Sequence, residues 1–468
     1  TVLGRGALCN DVRELMSTVC DADAMRSEAE AAGYDSPRLP LEKLSKAAIR
    51  EAFSALKVVE QALQRRHAGD SAADVLEPSR AFFAAVPCRD AEEDAPAVDT
   101  AERLREKLAL LQLLAGIEPV YGALLKLQSS RKRRRVADAS QVAADPEALA
   151  RRPRQGQKHP ALKLKRPPSP FFLFFSETRK AIAKELGESM YFGADAKRAA
   201  EVWRALPKKE KRAYKNKYKA CKEEYHKEQQ VMKAQEDAMV SADSIFQQRY
   251  RMLGCHIEPL TMGSSAWMLV YEYVRSAQLL PTGKPATADP ALHTLRASRV
   301  FAITRRADAE RCAKHADDPN RMLLWHPTRQ SGLAAALSHG LSMAPRDSPT
   351  AGRRFGRGLY FTDSVGSAAV AQGPISGLGG DGRRLLLLAE VALGECHESC
   401  QPEPNLEKAP HACGSVWGKG SSTPDPANAC ELADGTRVPL GPMVRTKAPK
   451  SFLESNEYVV YNASQVRL

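Results

Sequence analysis

The stretch Leu323–Arg329 reads Leu-Leu-Trp-His-Pro-Thr-Arg, an apolar run that ends in a histidine. Two later stretches go with it: Phe355–Asp363 reads Phe-Gly-Arg-Gly-Leu-Tyr-Phe-Thr-Asp, and Asn456–Tyr461 reads Asn-Glu-Tyr-Val-Val-Tyr. None of the three is diagnostic alone, because a lone His, Tyr or Glu is more often structural than catalytic. Their order along the chain and the motifs around them carry the information.

Taken in this order, His326, Tyr360 and Glu457 resemble the His-Tyr-Glu triad of the poly(ADP-ribose) polymerases, a family of NAD+-using transferases. The resemblance covers residues 265–468 and implies an α+β ADP-ribosyltransferase domain with a twisted, mainly antiparallel sheet. Four further stretches resemble that domain in sequence and order: Gly356–Phe361, Ala389–Gly394, Ser422–Pro426 and Val438–Gly441.

Length and charge bound the classes of function. With 468 residues, 43% of them hydrophobic, the chain can form several domains of about 100–200 residues each. The formal net charge of +13 is concentrated locally, at Arg131–Arg135 and between Lys208 and Lys227. A local basic excess indicates an anionic partner, most often nucleic acid. Arg131–Arg135 is either a solvated loop or a nuclear-import signal; we favour the signal and predict a nuclear protein.

The ten cysteines are scattered, which predicts reduced thiols rather than a disulfide framework. The spacing of the candidate metal ligands lacks the paired gaps of a zinc ribbon, so we expect no metal; they are Cys396, Cys400, Cys413, Cys430, His397 and His411. No apolar run approaches the roughly 20 residues of a membrane span, and we expect no membrane contact. Because the chain begins at Thr1 rather than at a methionine, we expect further residues before it. The family commonly continues into another strand after the position of Leu468, so we expect further residues there as well.

The first part of the chain, residues 8–127, is predicted to be helical because apolar residues recur at helical spacing, as at Ile49, Phe53, Leu56 and Val59. Ser45 is a plausible cap for that helix. By periodicity alone this is an ordinary bundle. However, the stretch Leu-Pro-Leu-Glu-Lys-Leu-Ser-Lys at residues 39–46 resembles the regulatory domain of the DNA-dependent polymerases. The resemblance implies that this all-α bundle covers the NAD+ site until DNA contact loosens it.

A basic, flexible linker is predicted at residues 128–160 from its polar, Arg- and Ala-rich composition. The character then changes, and residues 161–230 resemble an HMG box, a three-helix module that binds and bends DNA in the minor groove. The resemblance rests on Lys165–Phe174 (Lys-Arg-Pro-Pro-Ser-Pro-Phe-Phe-Leu-Phe), on Trp203, and on tyrosines set among lysines. Basic side chains neutralise phosphates, and apolar side chains wedge between base steps.

The DNA-binding residues follow from the same resemblance. Phe171 and Phe192 match the two wedge positions, while Lys165 and Arg166 are expected at the phosphates. The alternative for both phenylalanines is core packing, which we predict instead for Phe172, Phe175, Trp203 and Tyr214. No base-specific contact is expected, because minor-groove binding of this kind reads groove width and bendability.

After the box, residues 243–262 resemble the last helix of the regulatory domain, so the box is predicted to be inserted in the bundle. This order suggests the hypothesis that bending DNA strains the bundle and releases the inhibition. From Ser265 onward, Ala266–Val270 and Arg299–Thr304 are predicted strands with a helix at Val270–Ala277 between them. Leu385–Ala392 has the continuous apolar pattern of a buried strand. The sequence contains no Rossmann fingerprint.

The triad has the following roles by resemblance. His326 bonds the adenosine ribose of NAD+, Tyr360 stacks on the nicotinamide, and Glu457 binds the nicotinamide ribose and polarises the acceptor hydroxyl. A carboxylate suits both of its tasks, since it stabilises a developing oxocarbenium ion and accepts a hydrogen bond from the acceptor. Glutamate at this position also goes with chain elongation in the family. Gly358 is placed in the same NAD+ site.

Several positions depart from the family pattern. Pro327 replaces a glycine whose N–H and C=O bind the nicotinamide amide, and proline has no N–H to donate. Thr328 replaces a serine and keeps its hydroxyl. The nicotinamide-binding serine aligns with Ala368, although Ser367 is adjacent and could substitute for it; a second stacking tyrosine aligns with Ala371. These changes weaken the grip on nicotinamide but leave the triad intact.

The sequence therefore predicts a nuclear, DNA-responsive ADP-ribosyltransferase that forms poly(ADP-ribose) on protein acceptors in chromatin, with NAD+ as its substrate. Its DNA partner is expected to be bent or damaged. Two alternatives stay open. One is an inactive transferase that acts as a DNA-bending chromatin protein, and the other is a mono-ADP-ribosyltransferase.

Overall fold

The computed structural model describes residues 8–70, 72–91, 97–144, 167–186, 194–278, 295–372, 383–447 and 450–468. The chain divides into two compact units. One comprises Thr1–Val136 with Ile245–Leu468, and the other comprises Ala137–Ser244. Lys165, Arg166 and Phe192 lie outside the described residues.

The first part of the larger unit is helical, as predicted. Ser45 caps the third helix by accepting a hydrogen bond from the Ala48 N–H at 3.1 Å, and the apolar stripe of that helix, with Phe53 and Leu56, lies in the core. The helices are α1 (Asn10–Val19), α2 (Ala22–Ala31), α3 (Lys46–His67), α4 (Leu76–Ala85) and α5 (Ala101–Ala144).

Helix α5 corrects two expectations. It continues to Ala144, into the segment predicted as a flexible linker, because Arg, Lys, Ala and Gln favour helix and neither Gly nor Pro follows Gly122 within it. Its first part, Ala101–Gln128, is also long and apolar enough to cross a membrane by length and composition. Leu111, Leu114 and Ile117 of this part are buried in the bundle core, as in the central helix of a folded domain.

The smaller unit contains α6 (Pro170–Leu186), α7 (Ala194–Ala205) and the first part of α8 (Lys208–Leu253). Phe174 is buried at its centre, with Trp203 and Tyr214 packed against it. The side chain of Phe172 is 57% exposed, so its predicted place in the core is wrong. The reason is helical spacing, because Phe171, Phe174 and Phe175 lie on the inward face of α6. Phe172 lies at the margin of that face, where its ring still contacts those of Phe171 and Phe175.

Helix α8 ends at Leu253, earlier than predicted. Gly254 has a φ of +62°, a conformation that ends helices and suits glycine. Strand β1 (Cys255–Pro259) follows and pairs with β2 (Phe301–Arg305). The last turns of α8 return the chain to the larger unit, where Tyr250 and Leu253 are buried in the same core as the bundle.

The C-terminal part is an α+β arrangement. Its helices are α9 (Ser265–Ser276), α10 (Arg306–Arg311), α11 (Gln330–His339) and α12 (Val365–Gln372). Its further strands are β3 (Arg321–His326), β4 (Leu359–Phe361), β5 (Leu387–Ala392), β6 (Cys396–Ser399), β7 (Ser415–Gly418), β8 (Gly420–Pro424), β9 (Cys430–Glu431), β10 (Arg437–Val438), β11 (Met443–Arg445), β12 (Leu453–Ser455), β13 (Glu457–Val460) and β14 (Val466–Arg467). The predicted strand Ala266–Val270 is wrong, because Ser264 accepts a hydrogen bond from the Trp267 N–H and starts α9 there.

The described strands form several sheets rather than one. Besides the β1–β2 pair, the strand orders are β14-β5-β3-β10-β9, β11-β8-β12 and β4-β13-β7-β6. Most pairings are antiparallel, but β10 with β3, β12 with β8 and β6 with β7 are parallel. The predicted α+β class is therefore correct, while the sheets are mixed.

The bundle and the C-terminal part share one core within the larger unit. Leu111 and Leu114 of the bundle belong to the same apolar cluster as Leu333 and Leu337 of α11. Helices α5 and α11 come very close at two glycines, because a Cβ added at Gly116 would lie 3.3 Å from the Gly332 Cα.

Candidate active site

Three strands bring the predicted triad together. Tyr360 lies in β4, which pairs with β13, the strand that begins at Glu457. Trp325, next to His326, bridges to Thr362 just beyond β4, with both backbone N–H···O distances at 2.9 Å. Residues separated by about 130 positions in the sequence thus lie on neighbouring strands.

His326 is held as a neutral ring. Its Nδ1 lies 2.8 Å from the Tyr360 carbonyl oxygen, and burial lowers the pKa of His326 to about 4, against the raising effect of that bond. A carbonyl oxygen only accepts hydrogen bonds, so Nδ1 carries the proton and Nε2 keeps a lone pair. The ring is therefore prepared to accept a hydrogen bond from a hydroxyl group.

Tyr360 is fixed by the loop that precedes it. Its hydroxyl donates to the Gly356 carbonyl at 2.8 Å and accepts from the Phe355 N–H at 3.0 Å. Gly358 allows close packing at this point, since a Cβ there would meet the Val459 Cγ1 of β13 at 2.2 Å. Gly358 thus has a structural reason to be glycine.

Glu457 has two carboxylate oxygens in different surroundings. Oε1 forms an ion pair with Arg354, whereas Oε2 is buried and has no hydrogen-bond partner among the described residues. Burial raises the pKa of Glu457 above its ordinary value, and Arg354 opposes this effect. An unsatisfied buried carboxylate oxygen is costly, and such groups are common at sites that bind a ligand.

The residue before Glu457 is anchored by a buried polar network that the sequence reasoning missed. Asn456 donates to the Asp363 Oδ2 at 2.7 Å and to the Thr423 Oγ1 at 2.9 Å, and its Oδ1 accepts from the Gly420 N–H at 2.8 Å. Tyr458 also donates to Asp363, at 3.1 Å. Burial raises the pKa of Asp363 to about 7. The network fixes the backbone on both sides of Glu457.

A cavity of about 350 Å³ lies beside these residues. Of the predicted site residues, it is lined by Pro327, Tyr360, Ser367 and Glu457. His326, Thr328, Gly358 and Ala368 are not part of its lining. The other lining residues are Ala277, Gln278, Arg354, Phe361, Thr362, Ser364, Gly366, Val370, Leu453, Glu454, Ser455 and Asn456.

The two candidates for the nicotinamide-binding serine differ clearly. Ser367 lines the cavity, and its hydroxyl donates to the Ser455 Oγ at 3.1 Å. Ala368 is completely buried and packs in an apolar cluster with Trp325 and Tyr273. Ala371 lies on α12, but its side chain is outside the part of the chain that the structure describes. Of the two candidates, Ser367 is thus the one that lines the cavity.

Thr328 and Arg354 lie near the triad, and the sequence alone did not reveal the surroundings of either residue. Thr328 has a buried Oγ1 without a partner among the described residues, which leaves its hydroxyl available for a ligand. Arg354, from the loop before β4, lines the cavity and lies over the Phe452 ring at 5.9 Å. The charge pair of Arg354 with Glu457 could not be found from spacing, since the two residues are 103 positions apart.

The candidate metal ligands do not assemble among the described residues, where no group of three or more His, Cys, Asp or Glu side chains has a suitable arrangement. His397 instead lies 3.0 Å from the Glu403 Oε1 through its Nε2.

Comparison with protein families divides the chain into three matches. Residues 7–140 match the poly(ADP-ribose) polymerase regulatory domain, residues 164–233 match the HMG (high mobility group) box, and residues 272–468 match the poly(ADP-ribose) polymerase catalytic domain. These matches confirm the resemblance on which the sequence analysis relied.

The chain is similar to several curated proteins. It is 38% identical over 224 residues to "Poly [ADP-ribose] polymerase 2" of Homo sapiens, an alignment that covers 47% of this chain and 36% of the relative. It is 33% identical over 237 residues to "Poly [ADP-ribose] polymerase 2-A" of Oryza sativa subsp. japonica, covering 50% and 34%. For "Poly [ADP-ribose] polymerase 1" of Danio rerio the identity is 35% over 223 residues, covering 47% and 20%.

The aligned part thus spans about a third or less of the length of these relatives. Within that limit, the family matches and the geometry agree, since the strands that carry His326, Tyr360 and Glu457 belong to the segment that matches the catalytic domain. The chain combines the regulatory and catalytic domains of the poly(ADP-ribose) polymerase family with an HMG box.

Proposed function

We propose that this chain is an NAD+ ADP-ribosyltransferase that transfers ADP-ribose to protein acceptors, releases nicotinamide, and responds to DNA. The observation that carries the proposal is that β3, β4 and β13 bring His326, Tyr360 and Glu457 together, with Tyr360 and Glu457 lining the cavity. The names of the relatives support the same activity.

The proposed chemistry uses each side chain as its surroundings allow. The neutral His326 accepts a hydrogen bond from an adenosine ribose hydroxyl, and the ring of Tyr360 stacks on nicotinamide. The bond between nicotinamide and its ribose breaks, nicotinamide leaves as a neutral molecule, and an acceptor oxygen bonds to the same carbon. Glu457 stabilises the positive charge that develops on the ribose. Its buried Oε2, which has no partner in the part of the chain that the structure describes, accepts a hydrogen bond from a ribose hydroxyl.

The cavity wall that is proposed to bind nicotinamide is the part of the site that departs most from the family pattern. Pro327 lines the cavity without an N–H to offer, which favours weak NAD+ binding. Ser367 and Thr328 supply the remaining hydroxyls. This wall favours the second candidate function, a DNA-bending chromatin protein whose transferase site no longer turns over, and the complete triad favours the first.

The bundle is proposed to restrain the site when DNA is absent. Thr350 and Ala351, in the loop that leads to Arg354, donate backbone N–H groups to the buried Glu60 of α3 at 2.9 and 2.6 Å. On another side, the close approach of Gly116 to Gly332 connects α5 with α11, which follows the Pro327–Thr328 segment. These contacts support a regulatory role, because loosening the bundle would free both elements.

DNA contact is assigned to the HMG box. Proposed boundaries are residues 8–127 and 243–262 for the regulatory domain, 161–230 for the box and 265–468 for the transferase domain. Lys165, Arg166, Phe171 and Phe192 are proposed DNA contacts in the minor groove of bent or damaged DNA. The side chain of Phe171 packs against Phe175 and Trp203 at ring-centroid distances of 6.2 and 6.1 Å. A nuclear location and chromatin partners belong to the same proposal.

The decisive experiment measures nicotinamide release from NAD+ with and without nicked or kinked DNA. The parent chain is compared with Glu457→Gln and Pro327→Gly. We expect DNA-stimulated release that Glu457→Gln reduces by about a hundredfold or more, on the scale of removing one electrostatic stabiliser. No release from the parent, with recovery in Pro327→Gly, would establish the second candidate function.

A further inference from the structure

Arg354 occupies the half of Glu457 that faces solvent. Its guanidinium pairs with Oε1, while Oε2 is buried. The Arg354 side chain is 51% exposed, and it also lies over Phe452, an exposed aromatic residue. A protein acceptor must enter the cavity from the solvent side, so it meets Arg354 before it meets the carboxylate.

This arrangement limits what Glu457 can do. In the proposed reaction a glutamate has two tasks, which are to bind the nicotinamide ribose and to polarise an acceptor hydroxyl. The buried Oε2 suits the first task. The second task needs Oε1 as a hydrogen-bond acceptor, and Arg354 already donates to that oxygen. Oε1 has a second lone pair and can still accept a hydrogen bond, but its charge-assisted bond to Arg354 makes it a weaker acceptor for the proton of a hydroxyl group.

An anionic acceptor does not have this difficulty. A carboxylate carries no proton to remove, so it can attack the ribose carbon without a base. It also finds a cation at the entrance, since Arg354 has donors left after its pairing with Glu457. The exposed Glu454 lies on the same wall, but its charge is in contact with solvent and is screened.

Resting on the proposed transferase function, we propose that Arg354 is a specificity-determining residue that selects carboxylate side chains as acceptors and limits chain elongation. In the favoured step an Asp or Glu oxygen of the acceptor forms a bond to the ribose carbon as the bond to nicotinamide breaks. An ester results, and no proton is transferred. Elongation uses a ribose hydroxyl, whose proton passes to Glu457 as the new bond forms, and Arg354 disfavours this transfer because its positive charge stabilises the ionised carboxylate.

The test compares the parent with Arg354→Met, Arg354→Gln and Arg354→Lys in the full chain, with nicked DNA present. Arg346→Met is the matched control, an exposed arginine of the same loop that does not line the cavity. Three quantities are measured: nicotinamide release, the fraction of protein-linked ADP-ribose that neutral hydroxylamine removes, and product length on a gel. Hydroxylamine cleaves the carboxylate esters but not the glycosidic bonds formed by hydroxyl acceptors.

We expect the parent and Arg346→Met to form mostly hydroxylamine-labile links and short products. Arg354→Met and Arg354→Gln should lower the labile fraction several-fold and lengthen the product, while Arg354→Lys keeps much of the parent's preference because it keeps the charge. Such a change of linkage is not produced by a loss of stability, which would lower all products together.

Two outcomes overturn the proposal. Nicotinamide release with an unchanged labile fraction in Arg354→Met and Arg354→Gln would show that Arg354 does not select the acceptor. Shorter products in those variants would show that Arg354 binds the phosphates of a growing chain instead. If neither the parent nor any variant releases nicotinamide or binds NAD+, the proposed function itself fails, and that result is distinct from both.

Discussion

At the scale of single residues, the two sides of Glu457 set its titration. Burial raises its pKa and Arg354 lowers it, so the ionised, active form is lost as pH falls through a pKa above the ordinary value. In Arg354→Met only the raising effect of burial is left. We expect the acid limb of kcat/KM for nicotinamide release to move to higher pH in this variant, as a pH series of initial rates would reveal. An unmoved limb would mean that Glu457 does not govern the limb.

Pro327 offers a second test at this scale. Restoring a glycine supplies the N–H that the nicotinamide carbonyl lacks, and a missing hydrogen bond to a buried group costs about 1–3 kcal/mol. Pro327→Gly should therefore bind NAD+ about tenfold more tightly or better. Calorimetric titration measures this affinity, and Pro345→Gly, in the loop remote from the cavity wall, is the control. Equal affinities of parent and Pro327→Gly would show that the amide is held elsewhere.

At the scale of elements, Asp363 follows β4 and accepts buried hydrogen bonds from Tyr458 of β13 and from Asn456, which in turn bonds to Thr423 of β8. The folded chain keeps its proton up to about pH 7, whereas the unfolded chain loses it near pH ~4. Since the folded state binds more protons in this window, the contribution of Asp363 to the free energy of unfolding falls as pH rises through it. Asn at this position does not titrate.

We therefore expect Asp363→Asn to gain stability relative to the parent as pH rises from about 4 to about 7, by at most about 4 kcal/mol. Urea denaturation at several pH values measures the difference. His326 contributes with the opposite sign, since its lowered pKa makes the parent less stable as pH falls, but it is common to both proteins and cancels. A constant difference across the window would contradict the buried titration.

The contact between α3 and the loop before β4 gives another prediction at this scale. The Glu60 carboxylate accepts from Thr350 and Ala351 and pairs with Lys57 at 2.8 Å. Glu60→Gln removes the charge, weakens these bonds by about 1–3 kcal/mol and should raise nicotinamide release in the absence of DNA. Glu51→Gln, at an exposed position of the same helix, is the control. If Glu60→Gln lowers the free energy of unfolding without raising nicotinamide release in the absence of DNA, this contact is structural and does not regulate the site.

At the scale of the whole molecule, the box interrupts the larger unit, whose chain leaves it at Val136 and returns at Ile245. The hypothesis that DNA bending releases the bundle predicts that Phe171→Ala combined with Phe192→Ala abolishes both bending and DNA stimulation. Energy-transfer measurements on end-labelled DNA report bending, and nicotinamide release reports stimulation. Phe172→Ala is a useful comparison, because Phe172 is the exposed phenylalanine of α6. Loss of bending with full stimulation would falsify the coupling.

The sequence predicted correctly those elements whose formation depends on a local pattern. Apolar spacing and the Ser45 cap sufficed for α3, and a continuous apolar run sufficed for β5. The prediction failed where one local pattern is compatible with two structures. Ala266–Val270 is apolar enough for a strand, yet the Ser264 cap makes it the start of α9. Phe172 of α6 was assigned to the core although it is exposed, because a one-residue shift rotates a helical side chain by about 100°.

The sequence by itself determined which family the chain resembles, because the motifs around His326, Tyr360 and Glu457 are recognisable. Only the tertiary structure decided their surroundings. It placed Ser367 rather than Ala368 at the cavity wall, and it brought Arg354 onto Glu457. The physical reason is that motif identity is local in sequence, whereas burial, pKa and ion pairing depend on side chains that meet only when distant strands and loops pack together.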